Sequence, residues 1–298
     1  MRQFDQWLLQ AMEWANAWAA PGWSEAFSRG SARAFVYHPP NHTGSLVVGA
    51  LQPSRDRSGR QFPLIAAAEL DGGSVHGGSV HGGSLQALPV LLEPLWQQAA
   101  EVLVHATTNT LPLELSPLES LQPVDEALIP YRAWTRSLIA AELWSSLLGS
   151  HPGDAPRRAL HLLFECVRPF RAVEHPTTWL TLRLPLGSAA GAGICFWLDL
   201  VRRAAQWRST IPSFFWCQDD QRAGLLLHLG QVPKSALAQL WFPTPDRDEI
   251  CDLSSSSVLS SAPPDPAFPT IAKRYLADGT ATVEELLELA SALVAGAR

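Results

Sequence analysis

Three apolar segments crowd into the first seventy residues, and the short connections between them limit how they can pair. The segments are Ser31–Tyr37, Gly44–Leu51 and Phe62–Leu70, each rich in Val, Phe, Leu or Ala. The first two are joined through Pro39-Pro40-Asn41. The second and third are joined by the polar stretch Pro53-Ser-Arg-Asp-Arg-Ser-Gly-Arg60. Both connections have turn chemistry and neither carries a helical pattern. Parallel neighbours need a crossover of a dozen or more residues, usually a helix, so the spacing predicts an antiparallel meander. Upstream, Phe4, Trp7, Leu8, Ala11 and Trp18 recur at helical spacing, and the pattern stops at Pro21-Gly22.

Residues 72–84 repeat GGSVH-GGSVH-GGS, which reads as a flexible loop expanded by duplication. His76 and His81 within it are five apart, a weak metal pair at best, and no metal is expected to bind. A helix is expected over 89–106, with Leu91, Leu92, Leu95, Trp96, Ala99 and Leu103 on one face and Pro94 in its first turn. A Leu/Pro/Glu connector over 111–123 leads to a helix carrying Trp134, Leu138, Ala141, Trp144 and Leu148. His151–Pro156 is the plainest break in the chain. Beyond it, Trp179–Leu184 alternates, with Leu180, Leu182 and Leu184 opposite Thr181 and Arg183, as a half-buried strand does. A small-residue turn, Gly187–Gly193, enters a helix with Phe196, Leu200, Ala204 and Trp207. Ser213–Cys217 and Ala223–Leu229 read as a hairpin around Gln218–Arg222, and a short helix with Leu237, Leu240 and Trp241 follows Pro233. The Ser/Pro-rich tail from Asp252 to Pro269 is expected to be extended and, with the repeat, mobile. Thr282-Val-Glu-Glu285 is a capping box that starts a terminal helix with Leu286, Leu287, Ala290 and Leu293 apolar. That helix is expected to lie on its own chain, a partner protein being the alternative. The reading is an α/β (α+β) chain in three parts: 1–123, 124–250 and a tail over 251–298.

Charge removes several functions. Lys and Arg total 22 against 28 Asp and Glu, a net charge of −6, and the only lysines are Lys234 and Lys273. A nucleic-acid binder needs a cationic surface to neutralise phosphates, and none is evident here. No apolar run reaches the about 18 residues of a spanning helix, and the N-terminus lacks the apolar core of a signal peptide. Cys166, Cys195, Cys217 and Cys251 show no CxxC spacing and read as reduced, mostly buried thiols of a cytoplasmic protein. No GxSxG, HExxH or kinase motif is present. Gly230–Ser235 echoes a phosphate loop but has Pro233 where a glycine is needed, so Lys234 reads as solvated. Asp199 and Asp219-Asp220 are candidate acids with no histidine near them in sequence. The cluster Arg55, Asp56, Arg57 and Arg60 carries two readings. Guanidinium forks suit a phosphorylated or acidic partner group. Alternatively, Asp56 caps the loop and pairs with Arg60, while Gly59 takes the positive φ of the turn.

Phe4-Asp5-Gln6-Trp7-Leu8, the strand Ala34–Tyr37, and Pro53, Ser54, Asp56, Gly59, Arg60, Phe62, Pro63 and Leu64 of a P-S-x-D-x-x-G-R-x-F-P-L string together resemble the TagF (ImpM) family of type VI secretion-associated proteins. Pro212-Ser-Phe-Phe-Trp216, followed by a strand and a Pro-capped helix, is similar to that family's S-x-W-W region. The likeness spans roughly 4–70 and, more loosely, 178–242. It implies a longin-like antiparallel sheet with flanking helices, followed by a second α/β half and an extended tail with a terminal helix. Family members usually carry a glycine-rich segment before the Trp-Leu helix that supplies two strands. This chain starts at that helix, so its sheet is expected to lack an edge or to borrow one from the second half.

The resemblance also implies regulation: a cytoplasmic, non-enzymatic, post-translational repressor of type VI secretion assembly, needing no cofactor. Its implied partner is the forkhead-associated scaffold protein of the apparatus. The arginine-rich loop is the candidate contact, and Trp7, Pro53, Ser54, Gly59, Phe62, Pro63 and Trp216 are the structural motif positions. Tryptophan and arginine are also the commonest binding hot spots, although Trp7, Trp134, Trp144 and Trp207 lie on apolar helical stripes. Two alternatives stay open. One is a structural subunit of the secretion machine. The other is a hydrolase that converges Ser54 or Ser213 with His38 or His228 and an acid.

Overall fold

The computed structural model describes residues 1–18, 21–39, 45–71, 82–107, 123–150, 153–173, 176–187, 190–208, 210–217, 224–242, 250–255, 258–259 and 279–296. Expectations placed on 72–81 with His76 and His81, on 111–122, on Asp219-Asp220 and on 260–269 lie outside these residues.

The meander forms as its spacing requires. Strands β1 (Arg33–Tyr37), β2 (Ser45–Gln52) and β3 (Leu64–Asp71) pair antiparallel, with Phe35 opposite Gly49 and Gly49 opposite Ala67. Gly49 has a steric reason to lack a side chain, because a Cβ there would lie 2.1 Å from the Ala66 carbonyl oxygen. Four further strands, β4 (Leu180–Pro185), β5 (Ser213–Cys217), β6 (Gly224–Leu229) and β7 (Ile250–Asp252), complete a seven-stranded sheet of order β3-β2-β1-β5-β6-β4-β7. All neighbours run antiparallel except β4 and β7. The free side of β1 is filled from the second half of the chain, with Ala34, Phe35 and Val36 opposite Trp216, Phe215 and Phe214.

Because strand side chains alternate, this register sorts the sheet into two apolar faces. On one face lie Phe35, Tyr37, Val47, Leu51, Phe215 and Leu226. They are covered by α1 (Arg2–Trp18), α2 (Trp23–Ser28) and, after the 3-10 turn Gly82–Ala87 and the helices of the other layer, a late short helix, Ala236–Trp241. Phe4, Trp7, Leu8, Ala11 and Ala15 of α1 point into this layer. Trp18, which the spacing puts on the same stripe, is 72% exposed at the helix end. On the other face, Val36, Val48, Leu182, Leu184, Phe214, Trp216, Leu225 and Leu227 join one large core.

Among the described residues, six helices between β3 and β4, one between β4 and β5 and one at the end build the second layer. They are α3 (Leu88–Leu91), α4 (Glu93–Thr107), α5 (Val124–Ala127), α6 (Ile129–Ser137), α7 (Ala140–Leu148), α8 (Ala155–Val167), α9 (Ala190–Ala205) and α11 (Val283–Gly296), while the short helix Ala236–Trp241 of the first layer is α10. Trp96 of α4 meets Trp216 edge to face at 3.9 Å and donates to the Phe35 carbonyl at 3.3 Å. The helix α8 is a segment the strand-centred reading passes over, although Ala159, Leu160, Leu163, Phe164 and Val167 bury one stripe and Pro156 sits in its first turn.

The single helix expected through Trp134 and Trp144 is instead two helices, α6 and α7. Leu138 and Ile139 are extended, with ψ of 130 and 134. The cause is tertiary. Ala140 N–H donates to the Ala281 carbonyl at 2.7 Å and Val283 N–H to the Leu138 carbonyl at 3.0 Å, so a bridge to the distant chain replaces the helical ladder. Immediately after it the capping box starts α11. Glu285 N–H donates to Thr282 Oγ1 at 3.2 Å, and Thr282 N–H donates to Glu285 Oε2 at 2.7 Å. Leu286, Leu287 and Ala290 bury this helix in the chain's own core.

One buried base follows from this layout. His228 of β6 is 0% exposed and lies beside Phe215, and its Nδ1 meets Thr181 Oγ1 at 3.0 Å. Burial pushes its pKa down to about 3. The unfolded chain takes up a proton near pH 6.5 and the folded chain does not until far lower, so acid favours unfolding in between. From pH 6.5 downward this residue should remove about 1.4 kcal/mol of stability per pH unit. Urea titrations of the wild type and His228→Leu between pH 7 and 4.5 test this. The variant's slope should be shallower, whatever constant cost it carries from an unpaired Thr181. Equal slopes would place the acid sensitivity elsewhere.

Candidate functional site

The loop between β2 and β3 is held by its own sequence. Pro53 ends β2, and the chain then closes a small ladder. Phe62 N–H donates to the Ser54 carbonyl at 3.1 Å, Arg55 bridges Gln61, and Asp56 N–H donates to the Arg60 carbonyl at 3.0 Å. At the tip, Gly59 N–H returns to the Asp56 carbonyl at 2.9 Å, with Gly59 at φ +83. That left-handed position is the one glycine fills without steric cost.

Asp56 organises the rest. Its Oδ1 accepts from Ser58 N–H at 2.9 Å, Ser58 Oγ at 2.7 Å and Arg60 N–H at 2.9 Å, while Oδ2 accepts from Arg60 Nε at 2.7 Å. The Ser58 hydrogen bond first, then the side chain and backbone of Arg60, hold its carboxyl well below the usual carboxylate range. With a depressed pKa, this stabilisation is complete above the unfolded value near 3.9 and is lost only as pH falls through the lower folded value. The Arg60 amide should therefore stay protected from hydrogen exchange at pH 4 and lose protection in Asp56→Ala at neutral pH. A midpoint near pH 4 in the wild type would contradict this ligand set.

The loop is also docked. Arg55 Nη2 donates to Ser28 Oγ at 2.7 Å, and Gln61 Nε2 donates to Ser28 Oγ at 2.9 Å and to the Ser24 carbonyl at 2.8 Å. Ser24 and Ser28 lie one turn apart on α2, and nothing in their sequence context marks them as the loop's anchor. The arginines thus divide. Arg55 fastens the loop to α2, and Arg60 pairs with Asp56 while its side chain stays 84% exposed. Arg57 is exposed and makes no hydrogen bond or ion pair among the described residues. Phe62 at the base of the loop is 39% exposed, while Pro63 is buried and Pro53 and Ser54 are half-buried.

Trp7 and Trp216 belong to the core. Trp7 Nε1 donates to the Pro233 carbonyl at 3.2 Å, and its ring lies 5.4 Å from Tyr37 and 5.7 Å from Phe215. The pairing of β1 with β5 brings Trp216 opposite Ala34. Lys234 is exposed just ahead of α10. Cys166, Cys195, Cys217 and Cys251 form no disulfide, and Cys195 and Cys217 are buried. Ser213 and His228 sit opposite each other on β5 and β6. Ser213 Oγ nevertheless contacts the backbone of His38, at 2.9 Å to N–H and 3.4 Å to the carbonyl, and His228 contacts Thr181. Among the described residues these hydrogen bonds reach no carboxylate. Asp199 is buried far along the chain with Arg202 and Arg203 at 2.7 and 2.9 Å. Sequence reading names Asp199 as a candidate acid but passes over its ion pairs, whose visible signal is the spacing of three and four residues to Arg202 and Arg203.

A single mixed sheet clothed on both faces, with a cationic loop fastened to α2, defines an α/β protein. Residues 1–120 match the TagF N-terminal domain family, described as type VI secretion system-associated. Residues 1–120 therefore form a domain of the TagF N-terminal type. Among solved structures it is similar to PA0076 from Pseudomonas aeruginosa PAO1, with 18% sequence identity and a TM-score of 0.34 over 83% of this chain and 86% of that one. A comparison with curated proteins finds no match. No helix among the described residues is long and apolar enough to cross a membrane.

Proposed function

We propose that the protein is a cytoplasmic, non-enzymatic regulator that represses type VI secretion assembly after translation by binding a forkhead-associated scaffold component. The observation that carries this reading is the family match over residues 1–120, which includes the arginine-bearing loop. The loop's construction supports a recognition role. Asp56 and the α2 serines fix its backbone, so little conformational entropy remains to be lost when a partner binds. Arg57 then offers a free guanidinium fork, and Phe62 adds a partly exposed aromatic face, the residue types that dominate binding energy. A repressor that works by occupancy needs only stoichiometric binding. Raising its level in a host with a type VI system should therefore suppress secretion, and the scaffold should co-purify with it. Secretion that persists despite excess folded protein would contradict repression. Fixed stoichiometry within the assembled apparatus would favour a structural subunit instead.

A further inference from the structure

On the opposite side of the sheet from that loop, a cavity of about 590 Å³ opens at the end of α9, where the chain turns past the 3-10 turn Arg168–Phe170 and meets α11. Arg202, Arg203 and Arg208 line it, with the hydroxyls of Thr210 and Ser291, and among the described residues no carboxylate lines it. In a chain of net charge −6, three guanidiniums within seven residues around one concavity is an unusual concentration.

Part of this cluster is structural. Asp199, 3% exposed beneath the cavity, accepts from Arg202 Nη2 at 2.7 Å and from Arg203 Nε at 2.9 Å, with the Tyr131 hydroxyl at 3.4 Å on its other side. Arg203 is fully used, because its Nη1 also reaches Ser291 Oγ at 3.2 Å and the Leu287 carbonyl at 3.4 Å. A helix C-terminus also attracts cations through its dipole, which accounts for a basic residue or two in this turn. The remainder is unexplained by the fold. Arg202 commits one nitrogen to Asp199, and its Nε is buried without a partner, as is Thr210 Oγ1. Arg208 is exposed and has no partner among the described residues. Among the described residues, three guanidiniums against one buried carboxylate leave a surplus of two positive charges.

The backbone around the cavity is strained as well. Gln206 and Ala172, at φ 54 and φ 55, are the two non-glycine residues with positive φ among the described residues, and both line this cavity. Gln206 closes α9 in a Schellman turn. Its N–H donates to the Arg203 carbonyl at 3.2 Å, and Trp207 N–H donates to the Arg202 carbonyl at 3.1 Å. Glycine is the residue such a turn favours. A glutamine there puts an amide side chain on the cavity wall in its place, and non-glycine residues held this way cluster at ligand sites.

We propose that this cavity binds a phosphate group, with Arg202 and Arg208 as the guanidinium clamp and the Thr210 hydroxyl as an additional donor. A phosphate monoester carries close to two negative charges at neutral pH, which the surplus matches. Guanidinium groups bind its oxygens in paired hydrogen bonds. The cavity exceeds the bare ion and falls within the size range of small-molecule sites. Ala172, Val173 and Trp207 give one wall that suits the organic part of an ester.

Calorimetric titration with inorganic phosphate, phenyl phosphate and benzoate tests the assignment. Saturable binding of a phosphate probe, weakened at least tenfold in Arg208→Ala and again in Thr210→Val, is the expected result. Tighter binding of phenyl phosphate assigns the group to an ester, and equal binding assigns it to the free ion; both keep the site. Arg208 is exposed and unpartnered, so its variant should keep the wild-type circular dichroism and melting temperature. Neither phosphate probe saturating, benzoate binding equally well, or affinity untouched in both variants would overturn the proposal.

Discussion

Replacing Phe35 by alanine should destabilise the protein by about 3–5 kcal/mol, the range for emptying an aromatic site in a packed core. Phe35 is 0% exposed and stacks on Phe4 at 5.0 Å with 11° between the rings, and on Phe215 at 5.8 Å with 26°. Phe4 belongs to α1, and Phe215 belongs to β5 from the other half of the chain. One ring therefore joins the amino-terminal helix, the meander and the second half, and its strand β1 is the only link between β2 and β5 in the sheet order. The cavity left behind is walled by strand backbones on one side, so it cannot easily collapse. Urea denaturation of Phe35→Ala, with Phe35→Leu as a milder companion, measures the loss. Destabilisation below about 1 kcal/mol in the alanine variant would contradict a core continuous across β1.

The second large effect should be functional and leave stability unchanged. Arg57→Ala, and more strongly Arg57→Glu, should abolish scaffold binding and repression while shifting stability by no more than about 0.5 kcal/mol, as exposed substitutions usually do. Arg55→Ala is a different experiment. It removes the hydrogen bond to Ser28 that holds the loop on α2, so it should weaken binding through positioning and raise amide exchange across 54–62. Separating the two arginines in this way distinguishes recognition from support within one short loop. If Arg57→Glu still represses and still captures the scaffold, the contact lies elsewhere on the molecule, and the exposed face of α11 is the next surface to test.

Much of this fold is legible because its signals are local. The meander follows from Pro39, Asn41 and the Pro53–Arg60 stretch, whose turn chemistry acts over a few residues. The β4 strand follows from the alternation of Leu180, Leu182 and Leu184 with Thr181 and Arg183. The start of α11 follows from Thr282 and Glu285 three residues apart. What escapes is set by partners distant in sequence. No local property of Leu138 or Ile139 breaks a helix there; Ala281 and Val283, over a hundred residues away, supply the competing hydrogen bonds. The closure of β1 by β5 is of the same kind, and family likeness raised it only as one of two possibilities. Within the loop, the ligands of Asp56 are its own near neighbours and can be inferred from Ser58, Gly59 and Arg60. The anchor at Ser24 and Ser28 cannot, because two serines one turn apart on a short helix resemble any solvated face. The Asp199 cluster escapes for a similar reason, since Tyr131 and Ser291 meet it only through tertiary packing.

The most direct test of the account is the equilibrium binding of the purified protein to the purified forkhead-associated scaffold. Saturable binding by the wild type, lost in Arg57→Glu and restored by a compensating acidic-to-basic change on the scaffold, is the result the account predicts. Folded wild-type protein that shows no binding to the scaffold would contradict it.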